Sequence, residues 1–299
     1  MSLGTSVPSP GCALTLSTPC STSGSCANLV VVTTTPPAWS PLEPSVLAAV
    51  AGPDWTVRLH PVAESTNALA AADPVAGTVV VADHQTAGRG RLDRMWETPP
   101  GTALTFSAVL DPGLPDADWP LLPLAAAVAV ADGLRRCTGV DTGLKWPNDV
   151  LVGDPAGEGL RDGKVAGILL ERVATADGKP VAVVGIGVNV AMTPAQLPVP
   201  TATSLLLAGA NVDRSAVLGA ILHALSVEVA GLATERDWLL QRYRDACTTL
   251  GHEVRVDLPN GNAVTGVAEA IDEHGRLVVA GRAIGAGDVV HVRPQRPGA

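Results

Sequence analysis

Aromatic side chains are scarce in this sequence: one Phe and one Tyr accompany six Trp among 299 residues. Each tryptophan therefore raises the question of what it packs against. Basic residues are short as well, with 20 Lys and Arg against 29 Asp and Glu, a net charge of −9. Bulk nucleic-acid binding needs an electrostatic footprint of Lys and Arg, so no nucleic-acid partner is expected. The five cysteines (Cys12, Cys20, Cys26, Cys137 and Cys247) are odd in number and unpaired in spacing. They form neither a disulfide framework nor a zinc pattern, and a reducing compartment is expected. The six histidines show no ligand spacing. No basic segment precedes an apolar core, the first Lys or Arg being Arg58, so no signal peptide is expected. The longest apolar run, Trp119 to Ala131, is too short to span a bilayer. These absences point to a cytoplasmic protein without a membrane partner. The chain also lacks a Ser-His-Asp order, a His metal cluster and a Walker A pattern.

What is present divides the chain into four parts. Residues 1–40 are rich in Ser, Thr and Pro and carry no charge before Glu43. Such a segment buries too little apolar surface to offset ordering entropy and is expected to be a disordered tail, without a helix-turn-helix pattern. Residues 41–249 read as an α+β domain, residues 250–294 as a small β-barrel and 295–299 as a flexible end.

In the second part, Pro44 to Val50 reads as a short helix and Trp55 to Leu59 as a strand. Ser65-Thr66-Asn67 before an Ala-rich run marks a helix N-terminus. Strands are expected at Thr78–Ala82, Thr102–Leu110 and Val181–Val190, and Asp162–Glu171 reads as a turn that becomes a strand. An Ala/Val-rich helix covers Leu121 to Cys137. Asp213 caps a helix to about Leu232, and a second helix from Glu235 to Thr249 places Trp238, Leu239 and Tyr243 in the core, with Gly251 ending it. After residue 251, short strands at 253–256, 264–271, 277–279 and 289–292 are separated by Pro-Asn-Gly and Glu-His-Gly turns.

Polar residues fall at strand ends and helix starts. Gln85-Thr86-Ala87-Gly88-Arg89-Gly90-Arg91-Leu92-Asp93-Arg94-Met95-Trp96 joins two strands with three arginines and two glycines. Two readings fit it: a solvated basic hairpin, or a loop that folds over a phosphate or carboxylate with backbone N–H groups and bidentate guanidinium donors. Leu144 to Val152 places Lys-Trp-Pro-Asn-Asp at a hairpin tip or bulge. Gly185 and Gly187 weaken a strand, which suggests the close approach of a ligand or of backbone. Together with Lys164 and Asn189 these groups make a polar, cationic pocket without a protein nucleophile. Activation of a carboxylate by ATP fits it, because cations lower the repulsion between carboxylate and phosphate.

Gly-Arg-Gly-Arg at 88–91, Lys-Trp-Pro-Asn-Asp at 145–149, Lys-Val-Ala-Gly-Ile-Leu-Leu-Glu at 164–171 and Gly-Ile-Gly-Val-Asn at 185–189 resemble the biotin–protein ligases in order and spacing, over about residues 55–293. The resemblance implies a mixed β-sheet with flanking helices, like class II aminoacyl-tRNA synthetases, plus an Src-homology-3-like C-terminal barrel. It implies biotin, ATP and Mg²⁺, formation of biotinoyl-5′-AMP, and transfer of biotin to a lysine of the biotin carboxyl carrier domain of a carboxylase. By the family pattern, Ser65, Thr66, Asn67, Gln85, Gly88, Arg89, Lys164, Gly167 and Gly185 bind biotin. Arg89, Arg91, Arg94, Trp96, Lys145, Asn148, Asn189 and Met192 bind ATP or the adenylate, with Asn189 reading adenine N6 and N7. Lys164, Arg91 and Asp149 are the implied catalytic residues, Asp149 orienting Mg²⁺ or the incoming lysine. Mg²⁺ would be held mainly by the ATP phosphates, and a monomer or weak homodimer is expected.

One departure stands out: Asp93 occupies a position where family loops commonly carry glycine. A lipoate or octanoate ligase or transferase on a related fold is the nearest alternative. A biotin-responsive repressor would need a DNA-reading module, for which the sequence shows no pattern, and a non-catalytic biotin-binding module leaves the arginines and Lys164 without a task.

Overall fold

The computed structural model describes residues 41–91, 94–153 and 163–291. The expectations for the tail at 1–40, for Asp93 and for 295–299 lie outside them. A seven-stranded mixed sheet forms the body, in the order β1-β2-β5-β9-β8-β7-β6. Its strands are β1 Thr56–Ala63, β2 Thr78–Gln85, β5 Ala103–Leu110, β6 Thr142–Lys145, β7 Asp149–Val152, β8 Gly163–Ala174 and β9 Pro180–Asn189. β1 and β2 run parallel across helix α2 (Thr66–Ala72), and the remaining pairs are antiparallel. Short strands β3 (Gly88–Arg89) and β4 (Met95–Trp96) pair within the arginine loop.

Period-two alternation gives the sheet two different faces. Leu104, Phe106 and Ala108 of β5 and Val184, Ile186 and Val188 of β9 turn to the main core. Helices α1 (Pro44–Ala51), α3 (Leu122–Thr138) and α4 (Arg214–Leu232) contribute to the same core. Val217, Leu218, Ile221, Leu222 and Leu225 of α4 are fully buried, each worth about 1.5–3 kcal/mol relative to exposure. Asp213 caps α4 by accepting from the Ser215 and Ala216 N–H groups. α3 and α4 approach closely at Gly133, where a Cβ would meet the Ile221 Cα at 2.9 Å. α4 and the segment Asp116–Thr138 are long and apolar enough to cross a membrane by composition alone, yet half or more of each apolar window is buried in this fold. On the other face, α2 packs through Ala70 on Val80, Val109, Val181 and Val183. Beyond that patch the same face carries Thr105, Ser107, Gly185 and Gly187, residues too small or polar for a core.

Two expectations for the helix after α4 are corrected. α5 spans Arg236–Ala246 and stops before Thr249. It stops because Cys247 bridges to Leu144 and the Thr248 N–H donates to the Leu144 carbonyl at 2.8 Å, which takes that backbone away from a helix. Leu239 and Tyr243 are core residues, but Trp238 is 55% exposed and lies under the Arg242 guanidinium, 4.3 Å from its ring centroid.

The C-terminal part is a five-stranded antiparallel sheet in the order β13-β12-β11-β10-β14. The strands are β10 Glu253–Asp257, β11 Ala263–Ile271, β12 Leu277–Val279, β13 Arg282–Ile284 and β14 Asp288–His291. The three-residue β13 has no separate sequence signal. β11 pairs with β10 through its first half and with β12 through its second, with a bulge between Ala268 and Ala270 that lets one strand serve both neighbours. Trp146, at the turn between β6 and β7, donates its indole N–H to the Gly275 carbonyl at 3.0 Å. Arg244 of α5 donates to the Ile271 carbonyl at 2.9 Å. These bonds seat the small sheet beside the mouth of the large one.

Candidate active site

The small and polar face of the large sheet is the floor of a cavity of about 780 Å³. Gly185 and Gly187 are adjacent on that face of β9. A Cβ at Gly185 would lie 2.1 Å from Asn67 Oδ1, and one at Gly187 would lie 2.5 Å from the Trp96 ring. The close approach expected of these glycines is therefore made by two site side chains. Trp96 lies over the floor, also touching Gly167. Its indole N–H is buried without a hydrogen-bond partner among the described residues.

One end of the cavity is neutral and richly hydrogen-bonded. Ser65 is the N-cap of α2 and accepts from the Ala68 N–H at 3.3 Å. Thr66 donates its backbone N–H to Gln85 Oε1 at 2.9 Å. Ser107, fully buried on β5, sits 2.6 Å from Asn67 Oδ1 and 2.8 Å from Thr66 Oγ1. Asn67 Nδ2 donates to Glu171 Oε2 at 2.8 Å. Ser107 and Glu171 are not among the site residues expected from the sequence. The polar positions Thr105 and Ser107 alternating with Leu104, Phe106 and Ala108 were the available signal for the first.

The other end is cationic. Arg89, Arg91, Arg94, Lys145 and Lys164 line it. Lys164 pairs with Asp149 at 2.6 Å, and its ammonium lies 5.5 Å from the Trp96 ring centroid. Arg94 pairs with Asp288 of β14, tying the arginine loop to the small sheet. Burial holds the Arg91 guanidinium below its ordinary value, opposed by the carboxylates of Asp149 and Asp288. Near them, burial pushes the Tyr243 phenol well above its ordinary value. Five cations against the three carboxylates that line the cavity, Asp149, Asp288 and Glu97, leave this end a site for a polyanion.

Of the expected site residues, Ser65, Thr66, Asn67, Gln85, Arg89, Arg91, Arg94, Trp96, Lys145, Asn148, Asp149, Lys164, Gly167, Gly185 and Asn189 all border this one cavity. Gly88 and Met192 do not. Gly88 supports the wall from behind, since a Cβ there would meet Gln85 Nε2 at 2.1 Å. Met192 is wholly buried below the floor, its carbonyl accepting from Ser204 Oγ at 2.8 Å. Asn189 Nδ2 donates to the Thr203 carbonyl at 2.9 Å and to the Lys164 carbonyl at 3.5 Å, so the paired donor and acceptor needed to read adenine N6 and N7 is not presented. It instead secures the segment 198–202, whose Pro198, Val199 and Pro200 wall the cavity. Asn148 likewise donates to the Ile168 carbonyl at 2.8 Å and fixes the hairpin tip.

The residues do not fit a protein-held divalent cation. Among the described residues no group of three or more His, Cys, Asp or Glu side chains gathers. Of the cavity carboxylates Asp149, Asp288 and Glu97, the first two are each already matched by a cation. A smaller cavity of about 190 Å³ between the hairpin tip and the turn at His274–Arg276 shares Arg91 with the large one but carries none of its polar network.

Comparison with known proteins agrees with this geometry. Residues 59–190 match the biotin/lipoate A/B protein ligase family, and residues 249–292 match the biotin protein ligase C-terminal domain. The chain is 40% identical over 261 residues to the biotin–[acetyl-CoA-carboxylase] ligase of Mycobacterium tuberculosis, covering 81% of this chain and 92% of that protein. It is 35% identical to the ligase of the same name from Paracoccus denitrificans, covering 74% and 92%. Among solved structures, the biotin protein ligase from Aquifex aeolicus in complex with biotin and ATP superposes with a TM-score of 0.66 at 28% identity, covering 80% of this chain and 99% of that one.

Proposed function

The chain belongs to the biotin protein ligase family, and from that premise we propose how its own residues carry the reaction. The protein is a biotin–protein ligase that uses ATP. A biotin carboxylate oxygen attacks the α-phosphorus of ATP, the bond to pyrophosphate breaks, and biotinoyl-5′-AMP forms. A lysine amine of a biotin carboxyl carrier domain then attacks the acyl carbon, AMP leaves, and an amide remains.

The observation that carries this reading is the polarity of the large cavity. Its neutral end offers hydrogen-bond acceptors at Asn67 Oδ1 and Thr66 Oγ1 and donors at Gln85 Nε2 and the Ser65 hydroxyl. A ureido ring, with two N–H groups and one carbonyl, uses both kinds. A dithiolane or an alkyl chain uses neither and would leave these buried groups unpaired, which disfavours lipoate or octanoate. At the other end, where these cations line the cavity, Lys164 would balance charge on the reacting carboxylate and α-phosphate, while Arg89, Arg91 and Arg94 would hold phosphate oxygens. Trp96, lying over the sheet floor, supplies an apolar surface between the two ends. Closure of the loop at 88–96 would shield the mixed anhydride from water. Magnesium belongs to the proposal only as the ion that ATP carries on its phosphates. Free Cys137 and Cys247 support a reducing cytoplasmic setting.

The direct test of the transfer step is the mass of a purified biotin carboxyl carrier domain after incubation with the protein, biotin and ATP. One added biotin on a single lysine is expected, abolished when that lysine is replaced by arginine. An unmodified carrier, with adenylate formed, would overturn the transfer half of the proposal.

A further inference from the structure

Among the described residues, Glu171 is the carboxylate joined to the neutral end of the cavity through a chain of hydrogen bonds, yet it does not border the cavity itself. It sits on β8 opposite Val183 of β9, half-buried, and receives the Asn67 Nδ2 hydrogen bond at 2.8 Å. A carboxylate accepts only, so this short bond, with a longer one from Nδ2 to the Leu169 carbonyl at 3.4 Å, fixes which way the Asn67 amide faces. With Nδ2 toward Glu171, Oδ1 must turn over Gly185 and toward Ser107.

The rest of the chain follows from proton counting. Ser107 has one hydroxyl proton and two oxygen neighbours, at 2.6 Å and 2.8 Å. The nearer is Asn67 Oδ1, a carbonyl oxygen that can only accept. Ser107 Oγ is then left to accept from the Thr66 hydroxyl, whose one proton has Gln85 Oε1, at 3.2 Å, as its longer-range alternative. Gln85 Oε1 is taken by the Thr66 backbone N–H at 2.9 Å, which leaves Gln85 Nε2 as the donor end of that side chain. The cavity end thus presents an acceptor at Asn67 and a donor at Gln85, in fixed positions. If the Asn67 amide turned over, a donor would stand where an acceptor is needed. Ser107 would pass its proton to Thr66, and a ligand N–H would meet another N–H.

We propose that Glu171, acting through Asn67 and Ser107, is a positioning residue that sets selectivity for a neutral cyclic urea over ring systems without N–H groups. It touches no reacting atom and acts only on the head group, far from the phosphates. The inference rests on the biotin reading of the cavity.

The experiment measures steady-state biotin-dependent ATP–pyrophosphate exchange in the full chain, with separate KM values for biotin and ATP. Glu171→Leu removes the nearer acceptor and leaves Nδ2 only the Leu169 carbonyl at 3.4 Å, so the biotin KM should rise about 10–100-fold, the size expected when a buried polar group loses its match. The ATP KM and the kcat at saturating biotin should each stay within about 3-fold, because the phosphate end is untouched. Glu171→Gln keeps the shape but restores a choice of amide orientation, so its biotin KM should rise less, about 3–10-fold. Asn67→Asp sets two carboxylates against each other and should nearly abolish biotin saturation. The double variant N67D/E171Q, in which the new amide on β8 donates to the new carboxylate on α2, should recover at least about tenfold of that loss. A biotin KM within about 2-fold of wild type in both Glu171 variants would overturn the proposal, as would equal rises in both KM values or no recovery in the double variant. Wild-type protein without biotin-dependent exchange would instead overturn the functional reading itself.

Discussion

Gly185→Ala separates stability from function in one substitution. Gly185 lies in β9 opposite Ser107 of β5 and Leu169 of β8, in ordinary extended backbone. Alanine adopts that conformation freely and loses less chain entropy on folding, which favours the native state by about 0.4–1 kcal/mol. Its Cβ would, however, lie 2.1 Å from Asn67 Oδ1. An ordinary contact needs about 3.4 Å, so Asn67 must retreat by roughly 1 Å or more. It is held on both sides, by Ser107 at 2.6 Å and by Glu171 at 2.8 Å, and a shift of that size breaks one or both bonds. Those two bonds, at about 1 kcal/mol each, are lost from the folded protein, while the unmatched ligand N–H costs about 1–3 kcal/mol of binding. That binding loss corresponds to a biotin KM raised about 5–150-fold, at about 1.4 kcal/mol per factor of ten. The melting temperature should move by only a few degrees, since the entropic gain offsets part of the lost bonding. The assay pairs thermal unfolding with the biotin dependence of pyrophosphate exchange. A biotin KM within about 3-fold of wild type, with the fold intact, would refute the placement of Asn67 over Gly185 as a binding contact.

Three further outcomes rest on named contacts. Lys164→Ala should slow adenylate formation by about 10²–10³-fold, the usual size for one lost transition-state donor, and near-normal single-turnover rates would remove Lys164 from the chemistry. Asp288→Asn frees Arg94 from an exposed ion pair worth at most about 1 kcal/mol, so the ATP KM should fall by up to about 5-fold with little change in stability; a raised KM would show that the pair pre-organises the loop instead. Asp272 accepts from the His274 and Arg276 backbone N–H groups at 2.9 Å each and from Arg276 Nε at 2.7 Å. Although burial opposes it, this bonding holds the Asp272 carboxyl below its ordinary value of 3.8. A depressed carboxyl stabilises above its unfolded value and loses that contribution as the pH falls through the folded one. Asp272→Asn should therefore cost about 1 kcal/mol at about pH 7 in urea unfolding, with the difference from wild type shrinking below pH 3.8; a gap that persists undiminished in acid would assign the loss to geometry rather than charge.

Local chemistry made much of this fold legible. The Ser65 and Asp213 caps, the hairpin tip at Trp146–Asn148 and the long strands around Phe106 and Ile186 announce themselves through side chains that act within a few residues of their own backbone. Trp238 misled because helical spacing shows which residues share a face without saying which face meets the core. The end of α5 was hidden because its cause, the bridge from Cys247 to Leu144, joins segments far apart in the chain. Ser107 and Glu171 were missed for the same reason. Their importance comes from sheet register, which sets Ser107 beside Gly185 and brings both toward the start of α2. Asn189 was recognised as a site residue for its position at the end of β9, but only the structure shows its amide committed to the Thr203 carbonyl. The arginine loop, by contrast, carries its cationic character in the sequence itself, and the structure adds the partner that Arg94 holds on β14.

The most direct test of the account is exchange of labelled pyrophosphate into ATP by the purified full-length chain, driven in parallel by biotin, lipoate and octanoate. The arrangement of the cavity predicts exchange with biotin alone. Exchange with lipoate or octanoate and none with biotin would contradict it.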